Sequence, residues 1–140
     1  MLLASTVKTP VGTLDLIADE NVLLAAGFKG LDNLVTRLSN EDFVKGIKKV
    51  QKIPIISILI DDYFNGDLDA MNSIKVRQIG ARFSQEVWKV MRKIPAGKTL
   101  SYAELAKRAG SVNAIRAAGT ACGNNLIAPI IPCHRIVKSG

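Results

Sequence analysis

Polar and apolar residues first alternate at Thr13-Leu14-Asp15-Leu16-Ile17-Ala18. Asp19-Glu20-Asn21 follows as a turn, then an apolar run from Val22 to Phe28. A period of two on either side of a polar turn predicts a β-hairpin, with Pro10-Val11-Gly12 marking a turn ahead of it. Leu31, Leu34, Val35 and Leu38 then fall at i, i+3, i+4 and i+7, one face of a short helix. Lys45 to Lys52 is basic and reads as the start of another strand or as a loop. Pro54 is placed to open a helix at its first position. Ile56, Leu59, Ile60 and Tyr63 follow at helical spacing, and Asn65-Gly66 closes it. A buried strand over Ile53 to Ile60 competes, because short apolar runs fit both periods. Asp67 to Gly80 has no sustained period, and the linker is placed within it, at residues 73–80.

Beyond the linker the signals sharpen. Phe83, Val87, Val90, Met91 and Ile94 share one helical face, with Ser84 as the expected N-cap, Pro95 as the stop and Trp88 turned inward. Pro95-Ala96-Gly97-Lys98 reads as a turn. Ser101-Tyr102-Ala103-Glu104 is a capping box, so a helix is expected from Tyr102 to Ala109, ending at Gly110. Ser111 is the expected cap of a second helix, Val112 to about Cys122, ended by Gly123. Helix, glycine-containing turn and helix form the helix-turn-helix pattern, although most such pairs are only packing units. At 100° per residue, Ile115, Ala118, Gly119 and Cys122 gather on one side of the second helix and should face the core. Asn113, Arg116, Ala117 and Thr120 gather on the other. That outer face is small apart from one long cation, which suits close approach to another backbone. The expected class is α+β: a small N-terminal α/β domain (1–72) with an antiparallel hairpin sheet, then a mostly helical C-terminal domain (81–140) containing the helix-turn-helix.

Composition narrows the classes. A chain of 140 residues, 48% hydrophobic and 22% charged, can bury a core and is not expected to be disordered. No apolar stretch approaches the ~18–20 residues needed to span a bilayer. The first residues show neither a basic region nor a long apolar one, so no signal peptide is expected. Two cysteines are no disulfide framework, and with one histidine they cannot complete a four-ligand zinc site without carboxylates. A soluble cytoplasmic protein without a metal is expected. Charge is unevenly placed. Residues 1–70 carry seven Lys/Arg against ten Asp/Glu, and residues 71–140 carry twelve against two, a net of −3 and of +10. A basic half joined to an acidic one points to a polyanionic partner for the basic half, with a solvated basic face as the bland alternative.

Candidate chemistry lies near the end, at Ile130-Ile131-Pro132-Cys133-His134-Arg135-Ile136. Cys133 closes a mostly apolar run from Leu126, and the single histidine comes directly after it. A thiol becomes a nucleophile on losing its proton. A neighbouring imidazole can take that proton, and nearby positive charge can hold the thiolate. A buried structural cysteine beside a surface histidine fits the tripeptide equally well.

Taken with the outlying pieces, the chain resembles the O6-alkylguanine-DNA alkyltransferases along essentially its whole length. The resemblance rests on Pro132-Cys133-His134-Arg135, on Tyr63-Phe64-Asn65-Gly66, on the Phe83-to-Trp88 helix start, and on Ile94-Pro95-Ala96-Gly97-Lys98-Thr99-Leu100-Ser101-Tyr102. Spacing supports it: Tyr102 precedes Arg116 by fourteen residues, Arg116 precedes Cys133 by seventeen, and Asn125 lies eight before Cys133. The resemblance implies irreversible, single-turnover transfer of an alkyl group from O6-alkylguanine in DNA, with O4-alkylthymine as a second substrate. Cys133 is then the acceptor, and His134 the base that acts through a water. Tyr102 crowds the target phosphate and helps protonate the leaving guanine. Arg116 is the finger that fills the gap left by the flipped base, on a helix whose small residues Ala117 and Thr120 meet the minor groove. Asn125 holds the turn before the active-site strand, and the backbone carbonyls of Cys133 and Ile136 read the base edge. Neither cofactor nor metal is implied; the partner is double-stranded DNA and the protein a monomer.

One departure is visible. In the family the chain continues past this motif with a glycine-rich pocket wall and a glutamate that orients the histidine, whereas the sequence given stops at Gly140. The expectation is a form that binds DNA but alkylates slowly. Three rivals remain: a non-catalytic lesion binder, disfavoured by the thiol; a helix-turn-helix regulator; and a cysteine hydrolase, for which no oxyanion hole is evident.

Overall fold

The computed structural model describes residues 1–137; residues 138–140, expected from sequence to lie in mid-loop, are outside the described residues. The chain divides into two compact units, Met1–Arg77 and Gln78–Gly140. The first is built on the expected hairpin, β2 (Gly12–Asp19) and β3 (Val22–Gly27), turned at Glu20-Asn21. Ahead of it runs a strand the pattern did not announce, β1 (Leu2–Thr9), antiparallel to β2 from Leu3↔Ala18 to Thr9↔Gly12. β2 gives the reason the alternation is so short. Leu14, Asp15, Leu16, Ile17 and Ala18 are all buried, so both faces of the strand are covered and the polar half of the period disappears. The one buried carboxylate among them, Asp15, accepts from Thr6 Oγ1 at 2.7 Å across the ladder.

Two short strands extend this sheet beyond an antiparallel meander. β4 (Ile47–Lys49) pairs parallel with β1, and β5 (Lys75–Val76) parallel with β3, giving the order β4-β1-β2-β3-β5. β5 lies inside the stretch read as linker. Two residues carry no readable period, and long-range pairing alone makes them a strand. The helix expected from Leu31 is present as α1 (Leu31–Arg37), with Leu34 buried and Leu31, Val35 and Leu38 half-buried. α2 (Asn40–Phe43) is capped by Ser39, whose hydroxyl accepts from Asp42 N–H. Over Ile53 to Ile60 the helix prevails: α3 (Ile56–Phe64) buries Ile56, Ser57 and Ile60. Pro54 does not open it. Pro54 and Ile55 form a turn, with Ile55 at φ 70°, and Ser57 Oγ accepts from Ile53 N–H at 2.9 Å instead.

One ion cluster fastens the end of this unit. Asp42, 5% exposed, accepts from Arg77 Nη2 at 2.9 Å and Nη1 at 3.3 Å, with Ser39 Oγ at 3.1 Å and Lys45 Nζ at 3.4 Å. The Arg77 guanidinium, more than any other neighbour, holds this carboxyl below the usual carboxylate range, against the opposing effect of burial.

The second unit is helical. α4 (Arg82–Arg92) buries Val87, Trp88 and Met91. Ser84 does not cap it: the N-cap position is Ala81, one turn earlier, and Ser84 lies within the first turn. The capping box at α5 (Tyr102–Arg108) forms in both directions, Ser101 Oγ accepting from Glu104 N–H and Glu104 Oε1 from Ser101 N–H. α6 (Ile115–Gly123) starts three residues later than Ser111 suggests. Ala114 N–H bonds to Ser111 O at 3.1 Å, so residues 111–114 make a turn before the helix begins. The late start leaves Ile115 in the opening turn, 45% exposed rather than in the core. Ala118, Ala121 and Cys122 supply the buried face. Finally β6 (Leu100–Ser101) and β7 (Ile136–Val137) pair in parallel, Leu100↔Ile136 and Ser101↔Val137.

Candidate functional site

The site grows from the C-terminal end of α6. Trp88 on α4 donates its indole N–H to Ala121 O at 2.9 Å, which fixes the last turn of α6 against α4. Cys122 lies in that turn, with its thiol 3.8 Å from Met91 Sδ. Its carbonyl receives three groups: the N–H of Asn124, the N–H of Asn125 at 3.2 Å, and the thiol of Cys133 at 3.3 Å. Helix ends leave carbonyls without intrahelical partners, and here the candidate nucleophile is one of the donors that satisfies them.

Asn125 organises the loop beyond α6. It is 7% exposed, and every polar atom of its side chain is engaged. Oδ1 accepts from Ile127 N–H at 3.0 Å and from Gln78 Nε2 at 3.2 Å. Nδ2 donates to Ile131 O at 2.7 Å and to Cys133 Sγ at 3.0 Å. The amide thus clasps residues 125–131 and turns an N–H on the sulfur. Pro132 leads into a 3-10 turn, Cys133–Arg135, which delivers Ile136 to β7. The β6–β7 pairing in turn sets Ile136, 8% exposed, beside Leu100, two residues before Tyr102.

These contacts set the protonation states. Burial pushes the Cys133 thiol up from its ordinary value, and the Asn125 N–H pulls it down less strongly. In the resting form the proton sits on sulfur and points at Cys122 O. Cys122, buried and next to Cys133, is pushed up to about 11. His134 is exposed, yet partial burial of its ring and the adjacent Arg135 charge lower its pKa, so it is neutral at pH 7 and free to accept a proton. The Arg135 side chain reaches back to the segment that follows α4. Its Nη1 donates to Ile94 O at 2.6 Å, so the cation is a strut between the 3-10 turn and the residue just after α4.

The remaining candidates sit on α5 and α6. Tyr102 occupies the first turn of α5, half-buried, its ring over Gly119 of α6. A Cβ on Gly119 would lie 3.8 Å from the ring, in ordinary contact. Arg116, Ala117 and Thr120 are exposed on one side of α6, with Asn113 in the turn before it also exposed. Thr120 Oγ1 donates back to Arg116 O at 3.1 Å. Six residues at 1.5 Å rise separate Arg116 from Cys122, so the cation stands about 9 Å along the helix from the cysteine end. Sequence reasoning passed over Gln78 and Gln85. A glutamine in an aperiodic linker gives no local signal of its partners. Among the described residues no three His, Cys, Asp or Glu side chains gather as a metal site, and no helix is long and apolar enough to cross a membrane.

With this geometry in hand, three comparisons bear on what the chain is like. Residues 82–140 match the family model described as "6-O-methylguanine DNA methyltransferase, DNA binding domain". A methylated-DNA–protein-cysteine methyltransferase from Shigella flexneri is 32% identical over 97% of this chain and 82% of its own length. The fold superimposes on the crystal structure of the Mycobacterium tuberculosis O6-methylguanine methyltransferase with a TM-score of 0.79, at 29% identity, covering 99% of this chain and 80% of that one. A structure of the M. tuberculosis protein in complex with DNA gives a TM-score of 0.76 at 27% identity, over 98% of this chain and 79% of that one.

Proposed function

The chain belongs to the family of methylated-DNA–protein-cysteine methyltransferases, and from that premise we propose that it repairs DNA by moving an alkyl group from O6-alkylguanine onto Cys133, once per molecule. The observation that carries the assignment of Cys133 is the Asn125 Nδ2 hydrogen bond to its half-buried sulfur, 3.0 Å long. It gives the thiolate a donor at the moment the S–H contact to Cys122 O is lost.

The step balances without a cofactor. The thiol proton leaves, with the neutral His134 ring as its acceptor through water. The sulfur electron pair forms a bond to the alkyl carbon, the C–O6 bond breaks, and its electrons leave with guanine, which takes up a proton. Tyr102 is the proposed donor. The thioether formed is stable to water, so the protein is consumed. A base inside a duplex is out of reach of a half-buried sulfur, so the nucleotide must be extruded, at a cost of a few kcal/mol that is smaller for a poorly paired lesion. Arg116 is assigned to the vacated gap. Ala117 and Thr120 form the surface that meets the minor groove, and the carbonyls of Cys133 and Ile136 contact the flipped base. The helices α5 and α6 serve as the DNA-reading pair, double-stranded DNA is the partner, and the protein works as a monomer in the cytoplasm, at the nucleoid, or in the nucleus if its source is eukaryotic.

The test is intact mass and peptide mapping after exposure to duplex DNA containing O6-methylguanine. The expected result is a gain of one methyl group on the peptide bearing Cys133, equal in moles to lesion lost, and no gain in Cys133→Ala. Sustained turnover, or methyl on another residue, would overturn the proposal.

A further inference from the structure

Gln78 lies outside every element named as catalytic or DNA-reading, yet its side chain runs to the reactive sulfur through one intermediary. Its Oε1 accepts from Leu126 N–H, and its Nε2 donates to Asn125 Oδ1 at 3.2 Å. The orientation is forced. Leu126 N–H can only donate, so Oε1 must face it, and Nε2 is left for Asn125. Asn125 is forced in the same way, because Ile127 N–H takes its oxygen side and Ile131 O its nitrogen side. Three polar groups therefore point in one direction: Leu126 N–H to Gln78, Gln78 N–H to Asn125, Asn125 N–H to Cys133 Sγ. Hydrogen bonds in such a chain polarise one another, and the last donor is strengthened toward a negative sulfur.

Gln78 is itself held in place. Gln85 Nε2 on α4 donates to the Gln78 carbonyl and, at 3.5 Å, to that of Gly80. Gly80 lies flat against Trp88, where a Cβ would meet ring atoms at 2.6 and 2.9 Å. The segment 78–80 is thus seated on α4 by the same tryptophan that pins α6.

We propose that Gln78 is a positioning residue for the alkyl-transfer site, acting through Asn125 to keep an N–H directed at Cys133 Sγ. The inference rests on the reading of Cys133 as acceptor. Among neighbouring ionisable groups, the Cys133 charge raises the pKa of Cys122, and Arg135 lowers that of His134. Gln78 hydrogen-bonds to none of them.

The experiment uses the full chain and two readouts. The rate of Cys133 carbamidomethylation by iodoacetamide is measured against pH by peptide mass, which separates Cys133 from Cys122 and needs no transferase activity. Transfer from free O6-benzylguanine is measured alongside. In Gln78→Ala the midpoint of the Cys133 profile should move up and the rate at pH 7 fall about threefold to tenfold, with rates converging at high pH. A merely structural loosening would leave the midpoint in place and speed labelling at high pH through better access. Gln78→Glu keeps the acceptor for Leu126 but loses the donor to Asn125, and its midpoint should shift the same way and further. In an Asn125→Ala background, Gln78→Ala should add no shift. An unmoved midpoint in both Gln78 variants, or an equal further shift without Asn125, would overturn the role. If the profiles shift but the unsubstituted chain takes nothing from O6-benzylguanine, the functional reading fails while the positioning role stands.

Discussion

At the scale of single residues, two protonation equilibria set what this chain does with pH. The proposed acceptor, Cys133, would react as thiolate, and burial keeps its pKa above the ordinary thiol value. His134, lowered by burial and by Arg135, is already neutral at pH 7. The transfer rate should therefore climb through neutral pH by close to tenfold per unit and level off only on the alkaline side. Measured with O6-benzylguanine from pH 6 to pH 9.5, a flat profile would mean that the thiolate is already formed at rest. Asp42 carries a different pH dependence. Its folded pKa is depressed by Arg77, so its contribution to stability is present above the unfolded value of about 3.9 and is lost as pH falls through the folded pKa. Asp42→Asn should cost about 1–2 kcal/mol at pH 7, the low end for a buried charge pair because Arg77 and Lys45 are partly exposed. The gap should begin to narrow below the unfolded value of about 3.9 and close only once pH falls below the depressed folded pKa, where the wild-type carboxyl is also neutral. Urea titrations at pH 7 and pH 3 would check this, and an undiminished gap at pH 3 would count against it. The residues of the site were unequally legible. Cys133 and His134 could be found because they are adjacent and chemically unusual. Gln78 could not, since its partners lie 47 and 48 residues away, and the Arg135 contact to Ile94 was hidden in the same way, because sequence shows a charge but not the carbonyl it reaches.

Among elements, the legible ones carry their own punctuation. The hairpin has a polar turn, and α5 has a capping box whose two hydrogen bonds both form. β1 and β5 have no such marks: β1 is recruited by β2 on one edge and β4 on the other, and β5 is two residues long. The start of α6 shows how a cap can mislead, for Ser111 opens a turn rather than a helix, and the shift moves Ile115 out of the core. The shift also takes Asn113 off the outer face and into the preceding turn, while Arg116, Ala117 and Thr120 remain exposed on α6. Arg116→Ala should slow repair in duplex DNA by at least about tenfold, the scale of losing one charge-assisted contact, yet leave the reaction with free O6-benzylguanine within about twofold. Equal losses on both substrates would remove the gap-filling role.

Over the whole molecule, charge divides along the sequence. The net of +10 over residues 71–140 against −3 over residues 1–70 predicts that duplex affinity resides in the second half. Each phosphate neutralised contributes about −0.9 to the slope of log affinity against log salt, so a surface engaging four to five phosphates should show a slope near −4. Titrations of Cys133→Ala on lesion-free duplexes of differing sequence should give similar slopes and similar affinities. A slope near zero would contradict a polyanion-binding surface.

The separations that hide Gln78 from sequence reasoning also fix when the site can exist. Gln78 is the first residue of its unit, Asn125 and Cys133 lie near the end of the described chain, and β6 and β7 close a long span of their own. A nascent chain emerging from the ribosome with α4, α5 and α6 complete still lacks the strut from Arg135 to Ile94 and the N–H of Asn125 on sulfur. Its thiol is then an ordinary cysteine, without the contacts that direct it. Closing loops of this length is slow relative to forming helices. In pulse labelling during refolding, Cys122 should become protected as α4 and α6 pack, and Cys133 should acquire its altered reactivity in the final step. The polypeptide is therefore helical before the Asn125 N–H reaches the sulfur, and a broken or half-made chain lacks the contacts that direct Cys133.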